Sequence, residues 1–247
     1  MPHAHRSPIS PADGPQPTMH WSTVHVDARA EMYGVLGRGT PVVFLPECGS
    51  TPWTYRHALA ELARGVRVYA PVIPGFAAAP GSPLEERILA DCSDWLGRFL
   101  EATELGPVTL VGHSFGGALA IRAAHDHPER VTRLVLVNSV GGGAGQDVAV
   151  PDDGDHDGAG RIDRMARGRE PTAELTRLAE RRLPVSLLWS RGDRRVPRAS
   201  VDSLRRQLGG PPVFTVPGGH DWLLSDPEYF GNAMRTVLGG FPVEVAA

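Results

Sequence analysis

The chain has 247 residues, enough for one large domain or a domain carrying an insertion. A net charge of −3 with acids and bases intermixed gives no pull toward nucleic acid or anionic membrane, and 41% hydrophobic residues with no apolar run of membrane length fit a globular protein. All 25 basic residues are arginine, which excludes Schiff-base chemistry, Ser-Lys dyads and a Walker A lysine whatever the fold.

The first 18 residues, MPHAHRSPISPADGPQPT, are rich in proline and polar residues and read as a disordered tail; they lack the apolar core of a signal peptide. Residues 19–247 read as a single domain. STVHVDA (22–28) and AEMYGVLG (30–37) suit an opening hairpin or strand pair. PVVFLP (41–46), VRVYAPV (66–72), VTLVGHS (108–114), VTRLVLVNSV (131–140), PVSLLWS (184–190) and PVFTVPG (212–218) are continuous apolar runs, as strands buried on both faces require. Between them Leu84, Ile88, Leu89, Cys92, Trp95, Leu96, Phe99 and Leu100 recur at helical spacing, as do Val201, Leu204 and Leu208, and Phe230, Met234, Val237 and Leu238. Strands alternating with helices predict an α/β fold, a mostly parallel eight-stranded sheet with helices on both faces. Residues 141–183 open on a Gly/Asp-rich stretch and carry a short helical piece around Leu175 to Leu183; they read as an insertion over one end of the sheet. Cys48 and Cys92 make no disulfide framework, so a reducing cytoplasm is the expected location.

The chemistry is written in GPVTLVGHSFGGALAIRAAH (106–125). Gly112-His113-Ser114-Phe115-Gly116 matches G-x-S-x-G between a predicted strand and a predicted helix, the context of a nucleophile elbow. A turn that sharp strains the backbone at the serine and crowds its neighbours, hence glycine two residues on either side. Ser114 Oγ is expected to stand exposed above the carboxyl edge of the sheet, where the helix N-terminus favours developing negative charge. The plainer alternative is an N-cap serine. A hydroxyl nucleophile needs a base, and the base an orienting acid, in the order Ser, acid, His for this arrangement. Asp193 follows the PVSLLWS strand and His220 the PVFTVPG strand. Singly, each reads equally as a turn aspartate or a polar-loop histidine; together with Ser114 they form a candidate triad. The strand ending in Asn138 and Ser139 offers no carboxylate at the other position where such an acid can sit.

With VGHSFGG, LLWSRGDRRVP and GGHDW in hand, over about residues 20 to 240, the chain resembles the α/β-hydrolase fold family. It is similar to the lid-bearing branch of small esterases, haloperoxidase-like hydrolases and C–C bond hydrolases. That resemblance implies a serine hydrolase of an ester or related acyl bond, with Ser114 as nucleophile, His220 as base and Asp193 as orienting acid. It further implies an oxyanion hole of the Cys48 and Phe115 backbone N–H groups, a small-molecule substrate, and neither cofactor nor metal. C–C cleavage of a diketone-like substrate, or a non-catalytic binding protein on the same fold, are the alternatives. Two departures are visible: Pro46-Glu47 stands where relatives carry His-Gly, and the 141–183 insertion is short for a lid. Among weaker signals, Asp153-x-Asp155-x-Asp157-Gly158 resembles half a calcium loop but reads as an acidic solvated loop, with Arg164 at its twelfth position. Arg191, Arg194, Arg195 and Arg198 read as a solvated rim around Asp193, an anion site being the alternative. Cys48 reads as a packing residue lining the site, and His113 as a packing and hydrogen-bonding residue beneath the elbow.

Overall fold

The computed structural model describes residues 15–75, 88–142 and 172–239. Strands β1 (His20–Val26), β2 (Arg29–Gly37), β3 (Pro41–Leu45), β4 (Arg67–Pro71), β5 (Val108–His113), β6 (Val131–Val137), β7 (Val185–Ser190) and β8 (Val213–Val216) form one sheet in the order β1-β2-β4-β3-β5-β6-β7-β8. β1 and β2 form the expected hairpin. Its two turn residues, Asp27 (φ 49°) and Ala28 (φ 63°), are both left-handed, the backbone that matches the twist of a two-residue hairpin. β2 also runs antiparallel to β4, and the remaining pairings are parallel.

Seven helices are described: α1 (Arg56–Leu62), α2 (Ile88–Ala102), α3 (Phe115–Asp126), α4 (Thr172–Glu180), α5 (Arg198–Gln207), α6 (Trp222–Ser225) and α7 (Pro227–Gly239). The central strands sort their side chains by parity, as a sheet covered on both faces must. Val43, Leu45, Leu110, Leu134, Leu136 and Leu187 join the core under α2, α3, α4 and α5. Val42, Phe44, Val111, Val135, Val137 and Leu188 join the opposite core under α1, α6 and α7. At the sheet edge β8 departs from the fully buried expectation, because with one strand neighbour its Val213 and Phe214 are half-buried and Thr215 is exposed.

Helix α1 carries no signal that periodicity alone resolves. It has seven residues, and burial reaches Ala58, Leu59, Ala60, Glu61 and Leu62 on more than one face. Glu61 is tolerated there because Arg64 Nε (2.8 Å) and Gln16 Nε2 (2.7 Å) donate to its two oxygens. Gln16 thereby anchors the chain just ahead of β1; residues 1–14 lie outside the described residues. So do residues 143–171, which hold most of the expected insertion and all of the calcium-like loop, and Leu84 of the helical pattern that α2 continues. Among the described residues no helix is long and apolar enough to cross a membrane.

Candidate active site

The parallel register brings the carboxyl ends of β3, β5, β6, β7 and β8 to one edge of the sheet, where open α/β sheets place their ligands. Pro46–Gly49, Ser114, Asn138, Arg191–Asp193 and Gly218–His220 leave from these ends. Far apart in sequence, they become neighbours only through the strand order.

Ser114 joins β5 to α3 with φ 54° and ψ −118°, a left-handed backbone that costs an L-residue about 1–3 kcal/mol and persists only where its surroundings enforce it. The flanking glycines are part of that enforcement. A Cβ on Gly112 would strike the Gly116 carbonyl, and one on Gly116 would strike the carbonyls of Leu45 and Pro46. The second contact shows the β3 loop packed directly onto the elbow. Ser114 is accordingly buried, with 0% exposure, and not exposed as the sequence suggests.

The three residues of the candidate triad do come together. His220 Nδ1 lies 2.9 Å from Asp193 Oδ2, and His220 Nε2 lies 2.9 Å from Ser114 Oγ. A carboxylate can only accept, so Nδ1 carries the proton and Nε2 presents its lone pair to the serine hydroxyl. The other oxygen of Asp193, Oδ1, accepts the backbone N–H groups of Arg195 (2.7 Å) and Val196 (2.9 Å). Those two donors lock the carboxylate in place and offset the cost of burying Asp193. The arrangement can pass a proton from Ser114 to His220 while Asp193 supports the imidazolium.

Behind the imidazole lies a layer of polar groups. The His220 carbonyl accepts from Asn138 Nδ2 (2.9 Å) and from His113 Nε2 (3.2 Å). Asn138 Oδ1 accepts the Ser190 N–H at 2.9 Å, so the β6 end, where no carboxylate stands, serves as a brace between β7 and the His220 loop. His113, fully buried, is a hydrogen-bonding residue beneath the elbow, as its place in the motif suggests. Burial first, and the neighbouring His220 second, hold its imidazole well below the ordinary value, so it stays neutral. His113, His220 and Asp221 bring potential metal-binding atoms within 4.8 Å of one another. Both His220 nitrogens and both His113 nitrogens are already hydrogen-bonded, so this donor set does not fit a resident cation.

Glu47 is where the sequence is least informative. Its Oε2 accepts from Arg195 Nη1 at 3.2 Å and lies 3.8 Å from His220 Nε2. Arg195 therefore belongs to the site, not to the solvated rim read for it, while Arg198 does lie outward, paired with Asp202 at 2.8 Å. Cys48 is half-buried and packs against the α2–α3 side of the core. Burial pushes the Cys92 thiol nearby up to about 12, so it remains a thiol. Glu47 and Arg195 are 148 residues apart, and no local pattern joins them.

The alpha/beta hydrolase fold family model matches residues 40–166. A 2-hydroxy-6-oxo-2,4-heptadienoate hydrolase of Pseudomonas putida is 40% identical over 112 residues, covering 43% of this chain and 40% of that protein. A 2-hydroxymuconate semialdehyde hydrolase of a Pseudomonas species is 38% identical over 111 residues, covering 42% of this chain and 38% of that one. The matched part thus spans about two-fifths of the length of these curated relatives. Among solved structures, a serine hydrolase of a Cycloclasticus bacterium superposes with a TM-score of 0.70 at 15% identity, covering 90% of this chain and 98% of that one. A CIB-like hydrolase of Thermoplasma acidophilum gives 0.68 at 17%, covering 91% and 100%. Strand order, elbow and family match agree, and the chain belongs to the alpha/beta hydrolase fold family.

Proposed function

We propose that the protein is a serine hydrolase of a carboxylic ester or related acyl bond. The observation that carries this reading is the unbroken chain from Asp193 through His220 to Ser114, two contacts of 2.9 Å ending on a strained elbow. Ser114 Oγ bonds to the acyl carbon as its proton passes to His220 Nε2. The carbonyl π electrons move onto oxygen, and the backbone N–H groups of Cys48 and Phe115 hold the resulting oxyanion. Collapse of the intermediate expels the alkoxide, which takes the proton from Nε2 and leaves an acyl-serine. Water then attacks with His220 again as base, releasing the acid and restoring Ser114. The chemistry uses only side-chain and backbone groups, and the partner is a small-molecule substrate.

A second reading, C–C cleavage of a diketone-like substrate by the same residues, is favoured by the two Pseudomonas relatives, whose names describe such hydrolases. One experiment separates the readings. Purified protein and the Ser114→Ala variant are labelled with a fluorophosphonate and assayed on activated aryl esters and on ring-cleavage diketones. Labelling plus ester turnover, both lost in the variant, supports the ester reading. Turnover confined to diketones supports C–C cleavage, and labelling without turnover on either class refutes both.

A further inference from the structure

The elbow sits on a buried hydrogen-bond chain that the proton-transfer step does not use. The Glu47 N–H, on the β3 loop, donates to the Tyr55 hydroxyl at 3.3 Å. Tyr55 Oη lies 2.8 Å from His113 Nδ1, and His113 Nε2 lies 3.2 Å from the His220 carbonyl. The carbonyl can only accept, so His113 carries its proton on Nε2 and its Nδ1 is an acceptor. Tyr55 must then donate to Nδ1 while its oxygen receives the Glu47 N–H. Donor and acceptor roles are thereby fixed along the chain from residue 47 to residue 220.

Both middle members are suited to holding that direction. Tyr55 and His113 are each 0% exposed. Burial, and after it the charge of Glu47, raises the Tyr55 hydroxyl well above the ordinary phenol value, so it keeps its proton. His113 is held neutral, so neither ring can reverse the chain by ionising. Ring packing fixes the geometry further: Phe44 lies 4.9 Å from Tyr55, Tyr55 lies 5.7 Å from His113, and His113 lies 5.0 Å from His220, centroid to centroid.

We propose that Tyr55 and His113 are positioning residues that set the β3 loop and the His220 main chain against each other through one buried relay. The inference rests on the reading of Ser114 and His220 as catalytic. Asn138 also holds the His220 carbonyl, but its bonds run to β7 and the His220 loop, whereas the Tyr55–His113 path reaches Glu47, next to the Cys48 amide. The relay thus joins the two parts of the machinery that must be placed relative to each other in the transition state, and both of its rings are fully buried. Its loss is expected in kcat and not in KM.

The test uses Tyr55→Phe, which removes one hydroxyl and keeps the ring, with His113→Gln as a second variant that retains a donor toward the His220 carbonyl. Steady-state kinetics on an activated aryl ester are combined with histidine ring 15N–1H spectra of the parent and both variants. We expect Tyr55→Phe to lower kcat by about tenfold or more with KM within about twofold. We expect His113→Gln to retain more activity than His113→Ala, and the parent spectrum to show His113 protonated at Nε2. A parent that turns over ester while Tyr55→Phe keeps its kcat overturns the relay and leaves the hydrolase reading standing. A parent without turnover of the ester sinks the ester reading, and the spectra then decide the relay. His113 protonated at Nε2, with the His220 resonances shifting in Tyr55→Phe, sustains it; a proton on Nδ1 or unmoved His220 resonances overturns it. Should Tyr55→Phe fail to fold, the parent tautomer and the His113 pair of variants decide the matter.

Discussion

Asp193→Asn gives the sharpest test of the candidate triad, because the structure dictates which way the new amide must face. The Asp193 Oδ1 position accepts two backbone N–H groups, from Arg195 at 2.7 Å and Val196 at 2.9 Å, and Oδ2 faces His220 Nδ1. Asparagine can satisfy the two backbone donors only by turning its oxygen to them, which presents its NH2 group to Nδ1. The imidazole must then become an acceptor at Nδ1 and carry its proton on Nε2, where it can no longer receive the Ser114 proton. The opposite orientation sets the NH2 group against both backbone donors, and leaving those two N–H groups unsatisfied costs about 1–3 kcal/mol each. The wrong tautomer therefore predominates. In other triads that tautomer lowers kcat by about 10⁴-fold, equivalent to about 5.4 kcal/mol. The assay is kcat/KM on one activated aryl ester, paired with the ring 15N signals of His220. A loss of less than about tenfold, or a His220 that keeps its Nδ1 proton in the variant, would refute the reasoning.

Other outcomes follow from the same geometry. Glu47 is held by Arg195, so Glu47→Gln should change kcat/KM by less than about tenfold, or ~1.4 kcal/mol; a sharp rise would mean the carboxylate opposes the oxyanion in the parent. Gly116→Ala places a Cβ against the Leu45 and Pro46 carbonyls and must displace the β3 loop, so ester turnover should collapse while the thermal midpoint falls only partway; unchanged turnover would show that the loop does not contribute to the hole. Burial alone would raise the Asp126 carboxyl, but hydrogen bonds from Arg122, His125 and Ser93 outweigh it, so it titrates below its ordinary value. A carboxyl with a lowered folded-state value stabilises the fold at neutral pH, and that contribution is lost as pH falls through the ordinary carboxylate range toward the folded value. The gap in urea midpoint between parent and Asp126→Asn should therefore be smaller at about pH 3 than at pH 7; a constant gap would contradict the shift.

The sequence by itself determined the strands, the main helices, the elbow and the three residues that meet there. Those features are local. A strand buried on both faces must be apolar along its length, and an elbow this tight must have glycine at 112 and 116 to clear the backbone carbonyls. Asp193 and His220 were legible because each follows a readable strand, and the strand order then delivers them. Helix α1 was not, since its seven residues bury too much of their circumference to leave a one-sided pattern. Only the tertiary structure decided what depends on side chains meeting across the sheet edge. Glu47 finds Arg195 from 148 residues away, and His113 is set between Tyr55 and the His220 carbonyl across 58 and 107 residues. No pattern along the chain encodes these contacts, because they arise where loops from different strands converge and each buried donor must find its acceptor. The burial of Ser114 belongs with them: the elbow motif fixes its strained backbone, but the β3 loop packed on Gly116 is a long-range contact that the motif does not contain.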